Sequence, residues 1–304
     1  MRKVICFFLI LMAGMVLPAA TAPAGEPNAA VVTRPVENMY GAGTEASDVV
    51  SQAVIGTSVK ILESRIDARG RGWYRVETPD TYEGWMPASS LRTYAPDEKP
   101  YASSGSVIEV TSLLALIYAE SDVTVRKPLA FAPIGAVLES AGTCGERWCE
   151  VVLPCGASGW IQKGDGDVRP AGFARPLLPA DEMIALAKRF LGLPYLWGGT
   201  TPLGIDCSGF VQLIYKLSGI GILRDADIQF GKSGLLEVTP GTEDKGDLVF
   251  FGKSAEEIAH VGMMISREEF IHATTHDRPI VQISRLSDPY WRKLFLGSRR
   301  PRSR

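Results

Sequence analysis

The sequence predicts two small β-barrels followed by an α+β domain, and three observations carry that expectation. First, "GWYRVETPDTYEGWM" (72–86) and "RWCEVVLPCGASGWI" (147–161) superimpose at a constant offset of 75 residues. Trp73 matches Trp148, Val76 matches Val151, Pro79 matches Pro154, and Gly84-Trp85 matches Gly159-Trp160. Second, helical periodicity is absent from both copies. Each consists of short β-rich runs between Gly and Pro turns, with "SVKILES" before the first copy and "GAVLESAG" before the second. Closing so few short strands into a barrel removes their exposed edges. Third, the character changes after residue 179, where helix-patterned runs come first and strand-like runs follow, the order of an α+β domain with an antiparallel sheet.

Taken in order, residues 1–24 form a secretory signal: Arg2 and Lys3, an apolar core from Val4 to Leu17, then the small residues of "PAATAPAG" with cleavage after Ala22-Pro23-Ala24. The apolar core is short of the roughly 20 residues a membrane helix needs. Cys6 lies inside it and not after a small-residue cleavage site, which argues against a lipid anchor. The protein is therefore expected to be exported, to the periplasm or cell envelope. The first barrel is expected over 25–100 and the second over 101–172, with "YAPDEKPYASSG" (94–105) as a turn-rich linker and "RPAGFARPLLP" (169–179) before the third unit, 179–304.

Bulk composition excludes several function classes. A chain of 304 residues has room for two or three domains, and 46% apolar with 22% charged residues is ordinary for a globular protein. With 32 basic and 34 acidic side chains no basic stripe marks a nucleic-acid surface. Arg299, Arg300, Arg302 and Arg304 read as a frayed, solvated end. After signal removal Cys144, Cys149, Cys155 and Cys207 remain. Outside the cytosol a disulfide within the cluster of three is reasonable, which pair being left open, with Cys207 and one other thiol unpaired. No His and no Cys-x-x-Cys accompany the cluster, which disfavours zinc.

In the third unit "PADEMIALAKRFLG" (179–192) is an amphipathic helix with an acidic first turn and Gly192 at its end. In "GIDCSGFVQLIYKLSG" (204–219), Phe210, Val211, Leu213, Ile214 and Leu217 make an apolar helical face, Asp206 is a cap and Gly219 a stop. Cys207 then falls in the first turn, where free N–H groups and the helix dipole favour a thiolate of lowered pKa. The bland alternative is a small buried hydrophobe. Strand-like runs follow: "GDLVFFG", "AHVGMMIS", "EFIHATT" and "IVQIS".

All three histidines, His260, His272 and His276, lie in this sheet region. His260 and His272 are twelve residues apart across "SREE", hairpin spacing that puts both imidazoles on one side of the sheet. If the Cys207 helix packs on that side, the three residues supply a nucleophile, a base and a group orienting the base, the logic of papain. His276 reads as a surface residue. A zinc site in "HATTH" is disfavoured, because the β-branched pair favours a strand and no HExxH glutamate is present. No metal and no cofactor are expected.

"PYLWGGTTPLGIDCSGF", "GDLVFFG", "HVGMMI", "FIHAT" and the closing "LFLGSRRP", in that order, resemble the NlpC/P60 cysteine peptidases over residues 180–304. The resemblance implies a papain-like α+β catalytic domain with Cys207 as nucleophile, His260 as general base and His272 as orienting residue, acting on amide bonds of peptidoglycan stem peptides. The upstream repeats resemble bacterial SH3 modules. Two such modules before the catalytic domain are most similar to the γ-D-glutamyl-L-diamino acid endopeptidases, which release L-Ala-γ-D-Glu from peptides with a free L-Ala amine. That implies an acceptor-lined pocket for an ammonium group, with Asp225 in "LRDADIQF", Glu83 before the first Gly-Trp and Tyr118 in "ALIYAESDV" as its candidates. Ser158 stands in the second repeat where the first has Glu83, so the first module is the better one to face the site. Tyr195 and Trp197 would wall the cleft, with Tyr195 also a donor to the oxyanion beside the Cys207 N–H. Asp206 and Ser208 would hold the substrate backbone and D-Glu carboxylate. The expected partners are L-Ala-γ-D-Glu-diamino acid peptides, with no nucleic acid, no membrane after signal cleavage, and a monomeric enzyme. Two rivals stand beside this: an autolysin-like hydrolase of intact wall anchored by its SH3 modules, and a wall-binding protein that has lost catalysis, against which the intact Cys, His, His set argues.

Overall fold

The computed structural model describes residues 27–124 and 127–302, so the expected signal segment lies outside the described residues. Strands β1 (Ala29–Val32), β2 (Val36–Tyr40), β3 (Val49–Val54), β4 (Ser58–Ile66), β5 (Gly72–Glu77), β6 (Glu83–Pro87) and β7 (Leu91–Thr93) form an antiparallel sheet in the order β3-β2-β6-β5-β4-β1-β7. The next seven are β8 (Ser106–Val110), β9 (Leu114–Tyr118), β10 (Ala130–Pro133), β11 (Val137–Cys144), β12 (Trp148–Val152), β13 (Ser158–Gln162) and β14 (Gly166–Pro170). Their order, β10-β9-β13-β12-β11-β8-β14, repeats the first sheet strand for strand. The repeated Gly-Trp has a packing cause. A Cβ on Gly84 would stand 3.0 Å from the Met39 Cβ, and one on Gly159 only 2.6 Å from Ile117, so both glycines let neighbouring strands approach closely.

Cys144 and Cys149 are joined by a disulfide across the β11–β12 hairpin, leaving Cys155 exposed and Cys207 buried as free thiols. The 94–105 linker is packed in place: Tyr101 is buried and its hydroxyl donates to the Val152 carbonyl at 2.5 Å.

The third unit contains helices α1 (Ala180–Lys188), α2 (Cys207–Leu217) and α3 (Ala226–Lys232), with the short β15 (Thr200–Thr201) and β16 (Gly204–Ile205) between α1 and α2. Its sheet comprises β17 (Leu236–Val238), β18 (Leu248–Gly252), β19 (Ile258–Met264), β20 (Glu269–Thr274), β21 (Ile280–Arg285) and β22 (Phe295–Arg300), with α4 (Pro289–Leu294) between the last two. The strands are antiparallel in the order β17-β22-β18-β19-β20-β21. One sheet face packs Val261, Met263, Ile271 and Ala273 against Phe210, Ile214 and Tyr215 of α2. Each fully buried Val, Ile, Met or Phe of this layer contributes about 1.5–3 kcal/mol. The other face packs Val249, Phe251, Met264 and Phe270 around Trp291 of α4.

Two expectations are corrected here. His260 and His272 do share a side, but it is the Trp291 side and not the face that α2 covers. Because strand side chains alternate, the apolar neighbours Val261, Ile271 and Ala273 claim the helix face. The arginines at 299, 300 and 302 are not frayed either, while Arg304 lies outside the described residues. Arg300 makes a two-pronged pair with buried Asp247, 2.7 Å at each oxygen, and Arg299 lies 3.7 Å over the Phe230 ring. Among the described residues no helix is long and apolar enough to cross a membrane.

The three units interlock. Ile55, just past β3, is part of the second sheet's core, and Ile134, just past β10, is part of the α2 core. Gln52 on β3 accepts the Thr200 N–H at 3.0 Å. Gly198 has φ of +73° and sits so close to β3 that a Cβ would lie 2.7 Å from the Val49 carbonyl oxygen. Gly198→Ala is therefore expected to destabilise the protein by about 1–3 kcal/mol in urea unfolding, from left-handed strain alone. An unchanged midpoint would refute this contact.

Candidate active site

The site begins at the cap of α2. The Asp206 Oδ1 accepts the Gly209 N–H at 2.7 Å, as a cap should, and this starts the helix at Cys207. Opposite it the sheet opens. β19 pairs with β20 only at Met263–Ile271 and Met264–Phe270, while β20 stays paired with β21 out to Thr274. In the resulting gap the Val261 N–H is donated to the Cys207 sulfur, not across the sheet, and the Ser208 N–H also points to it. His260 adjoins Val261, so its imidazole borders the same gap.

A hydrogen-bond chain fixes that imidazole. His260 Nε2 meets His272 Nδ1 at 2.7 Å, and His272 Nε2 meets Ser284 Oγ at 3.0 Å. Two proton arrangements satisfy both links: His260 Nε2–H donates to His272 Nδ1 and His272 Nε2–H to Ser284, or the Ser284 hydroxyl donates to His272 Nε2 and His272 Nδ1–H to His260 Nε2. The first of these leaves the His260 Nδ1 lone pair free to accept a proton, the state a general base needs. Ser284, on β21, extends the expected trio. Its only sequence signal is that it shares the strand face of Gln282, which pairs with His272.

The helix-dipole expectation of a lowered thiol pKa is overturned. Burial first, and the Asp206 carboxylate second, push Cys207 up to about 12, outweighing the two N–H donors and Arg224. Burial likewise brings His260 down to about 3, and pushes His272 far below its ordinary value, with His260 and His276 adding to the latter. Each group thus resists a lone charge. Moving one proton from sulfur to imidazole keeps the site neutral as a whole.

Arg224 was passed over in the sequence, where a charged residue just before a helix reads as solvated. It is 2% exposed. Its guanidinium reaches Asp206 at 2.7 and 3.0 Å, Ser208 Oγ at 2.8 Å, and Ser51 Oγ of the first sheet at 3.1 Å. Asp206 also accepts the Gly198 N–H, so its carboxylate is fully engaged within the protein and is not free to hold substrate.

The next residue, Asp225, is half-buried, and desolvation raises its pKa. The Tyr82 hydroxyl of the first sheet donates to it at 3.2 Å. Asp80 in the same turn accepts from Gln212 of α2 at 2.9 Å. Tyr82 stands one residue before Glu83, in the module the repeat comparison favoured. Glu83 itself is exposed and pairs with Arg75 at 2.9 Å, away from Asp225. Tyr118 is also corrected: it is buried in the second sheet, edge-on to Trp148 and in register with Trp160, because an inward strand position there is core. Tyr195 lies within electrostatic reach of Cys207, and burial raises its hydroxyl pKa, keeping it a proton donor. Trp197 is 69% exposed, a bare aromatic surface beside this wall.

A family model described as the NlpC/P60 family matches residues 192–300, and one described as a bacterial dipeptidyl-peptidase Sh3 domain matches 39–91. Over 267 residues the chain is 33% identical to a γ-D-glutamyl-L-lysine dipeptidyl-peptidase of Bacillus cereus, spanning 84% of this chain and 76% of the relative. The chain belongs to the NlpC/P60 family. A γ-D-glutamyl-L-lysine dipeptidyl-peptidase of Bacillus subtilis is 39% identical to this NlpC/P60 peptidase over 241 residues, 73% of this chain and 70% of that one. A crystal structure of an NlpC/P60 family protein from Bacillus cereus aligns with a TM-score of 0.76 at 26% identity, covering 90% of this chain and 99% of that chain. The SH3 match is single where two were expected. The second sheet has the strand order of the first but lies beyond the matched segment.

Proposed function

We propose that this NlpC/P60 enzyme hydrolyses the γ-D-glutamyl–diamino acid bond of peptidoglycan-derived peptides whose L-Ala amine is free. Cys207, His260 and His272 are its catalytic set, with Ser284 supporting the last. The Cys207 proton passes to His260 Nδ1 as sulfur attacks the γ-carbonyl, and the developing oxyanion takes hydrogen bonds from the Cys207 N–H and Tyr195. The C–N bond then breaks, the diamino acid amine leaving with the proton from His260. A water, deprotonated by His260, cleaves the thioester and releases L-Ala-D-Glu. The similarity to two γ-D-glutamyl-L-lysine dipeptidyl-peptidases supports this substrate class.

One observation carries the specificity: the Tyr82–Asp225 pair, where the first module closes over a half-buried carboxylate one residue from Arg224, whose guanidinium touches Ser208 beside the nucleophile. An ammonium group fits such an acceptor, and the module's turn at 78–82 blocks longer chains. The second sheet is a diverged SH3-like module that sets the first in place. Residues 1–24 are the export signal, with modules at 25–100 and 101–172 and the peptidase from 179 onward. The mature protein works as a monomer outside the cytoplasm.

The test compares L-Ala-γ-D-Glu-diaminopimelate with its N-acetylated form. Hydrolysis of the free amine is expected to dominate, and Asp225→Asn to raise its KM by about 10–100-fold, the loss of one charged hydrogen bond. Because burial raises the Asp225 pKa, KM should also climb as pH falls into the acid range, where the carboxylate protonates and stops attracting the amine. Preference for the acetylated or muramyl-capped peptide would instead favour an autolysin acting on intact wall.

A further inference from the structure

The Trp291 indole is the largest group in contact with the imidazole pair that the chemistry so far leaves unused. Asp288 caps α4 by accepting the Tyr290 N–H at 3.0 Å, and Pro289 opens the helix, so this short turn is held against the sheet with Trp291 pointing into it. Trp291 is 3% exposed. Its ring lies nearly parallel to His260, with centroids 5.0 Å apart and planes 28° apart, and meets His272 edge-on at 4.8 Å. Phe251, 5.0 Å from Trp291 and 5.8 Å from His260, completes the wall.

We propose that Trp291 is a positioning residue for the peptidase reaction: its face fixes the plane of His260 and stabilises the imidazolium formed when Cys207 gives up its proton. The proposal rests on His260 being the base. An indole face is electron-rich and attracts a cation within about 6 Å of its centroid, most strongly where water is excluded. The rings packed around His260 are His272 from β20, Phe251 from β18 and Trp291 from α4. His276, stacked on Tyr290 and edge-on to Trp291, acts on His272. Of the two hydrocarbon-edged aromatic faces on the His260 ring, the Trp291 indole lies nearer and more nearly parallel than the Phe251 phenyl, and an indole is the stronger cation acceptor.

The experiment measures Cys207 alkylation by iodoacetamide across pH, with kcat and KM on the free-amine tripeptide, for wild type, Trp291→Phe, Trp291→Leu and His260→Ala. Near neutral pH the alkylation rate and kcat should fall in the order Trp, Phe, Leu, by about 3–30-fold for Leu with KM little changed. The alkylation deficit should close at strongly alkaline pH, where hydroxide takes the thiol proton and the imidazolium is not needed. A purely structural loss would not close with pH. Equal rates for Trp, Phe and Leu beside a slowed His260→Ala would overturn the role of Trp291 alone. An unaffected His260→Ala would overturn the base assignment itself. If the Leu variant fails to fold, the Phe variant and its pH profile decide between the same outcomes.

Discussion

Cys207→Ala is expected to lose hydrolysis of L-Ala-γ-D-Glu-diaminopimelate by about 10⁴-fold or more, while remaining folded with stability within about 1 kcal/mol of wild type. The size of the effect follows from the site. The sulfur sits at the gap between β19 and β20, and its two N–H donors, from Val261 and Ser208, are positioned for it. On the proposed reading, what remains after its removal is binding by Asp225, Tyr82 and the cleft walls, which would hold substrate without breaking it. Assay of the purified variant against the free-amine tripeptide, alongside circular dichroism to confirm folding, decides the matter. Retention of full hydrolysis would remove the thiol mechanism and with it every role assigned to His260 and His272.

Arg224→Met should cost about 3–5 kcal/mol in urea unfolding, the usual penalty for leaving one partner of a buried pair uncompensated. The guanidinium is enclosed, and its loss leaves the buried Asp206 carboxylate without its ion-pair partner. A second consequence follows from position. Asp206 raises the Cys207 pKa and Arg224 lowers it, so the variant thiol should be harder still to ionise and slower to alkylate at neutral pH. The two readouts separate outcomes: lost stability with unchanged thiol reactivity would make Arg224 a strut between Ser51 and α2 and nothing more. A stability loss under about 1 kcal/mol would contradict the enclosure of the pair altogether.

These residues also mark where a sequence can be read and where it cannot. The helix at 207–217, its Asp206 cap, the Gly219 stop and the four strands β18 to β21, two of which bear His260 and His272, were legible because each is a local pattern of period, cap or turn. The 75-residue repeat likewise anticipated two sheets of one strand order. Arg224 and Tyr82 were not legible, since each has its partners in another unit. Ser51 is 173 positions from Arg224, and Asp225 is 143 from Tyr82. Glu83 was one residue from the side chain that meets Asp225, and Tyr118 shared only its residue type with it.

By itself, then, the sequence determined the order of elements, the thiol at a helix start and the pair of histidines on adjacent strands, because hydrogen-bond period and side-chain alternation are properties of neighbouring residues. Only the tertiary structure decided which sheet face carries the imidazoles, and that burial raises the thiol pKa against the pull of the helix. It alone brought Trp291 and Ser284 to the imidazole pair and decided that the first module meets Asp225 through Tyr82. Burial and pairing over long separations depend on how every element packs, and that information is held by the assembled core.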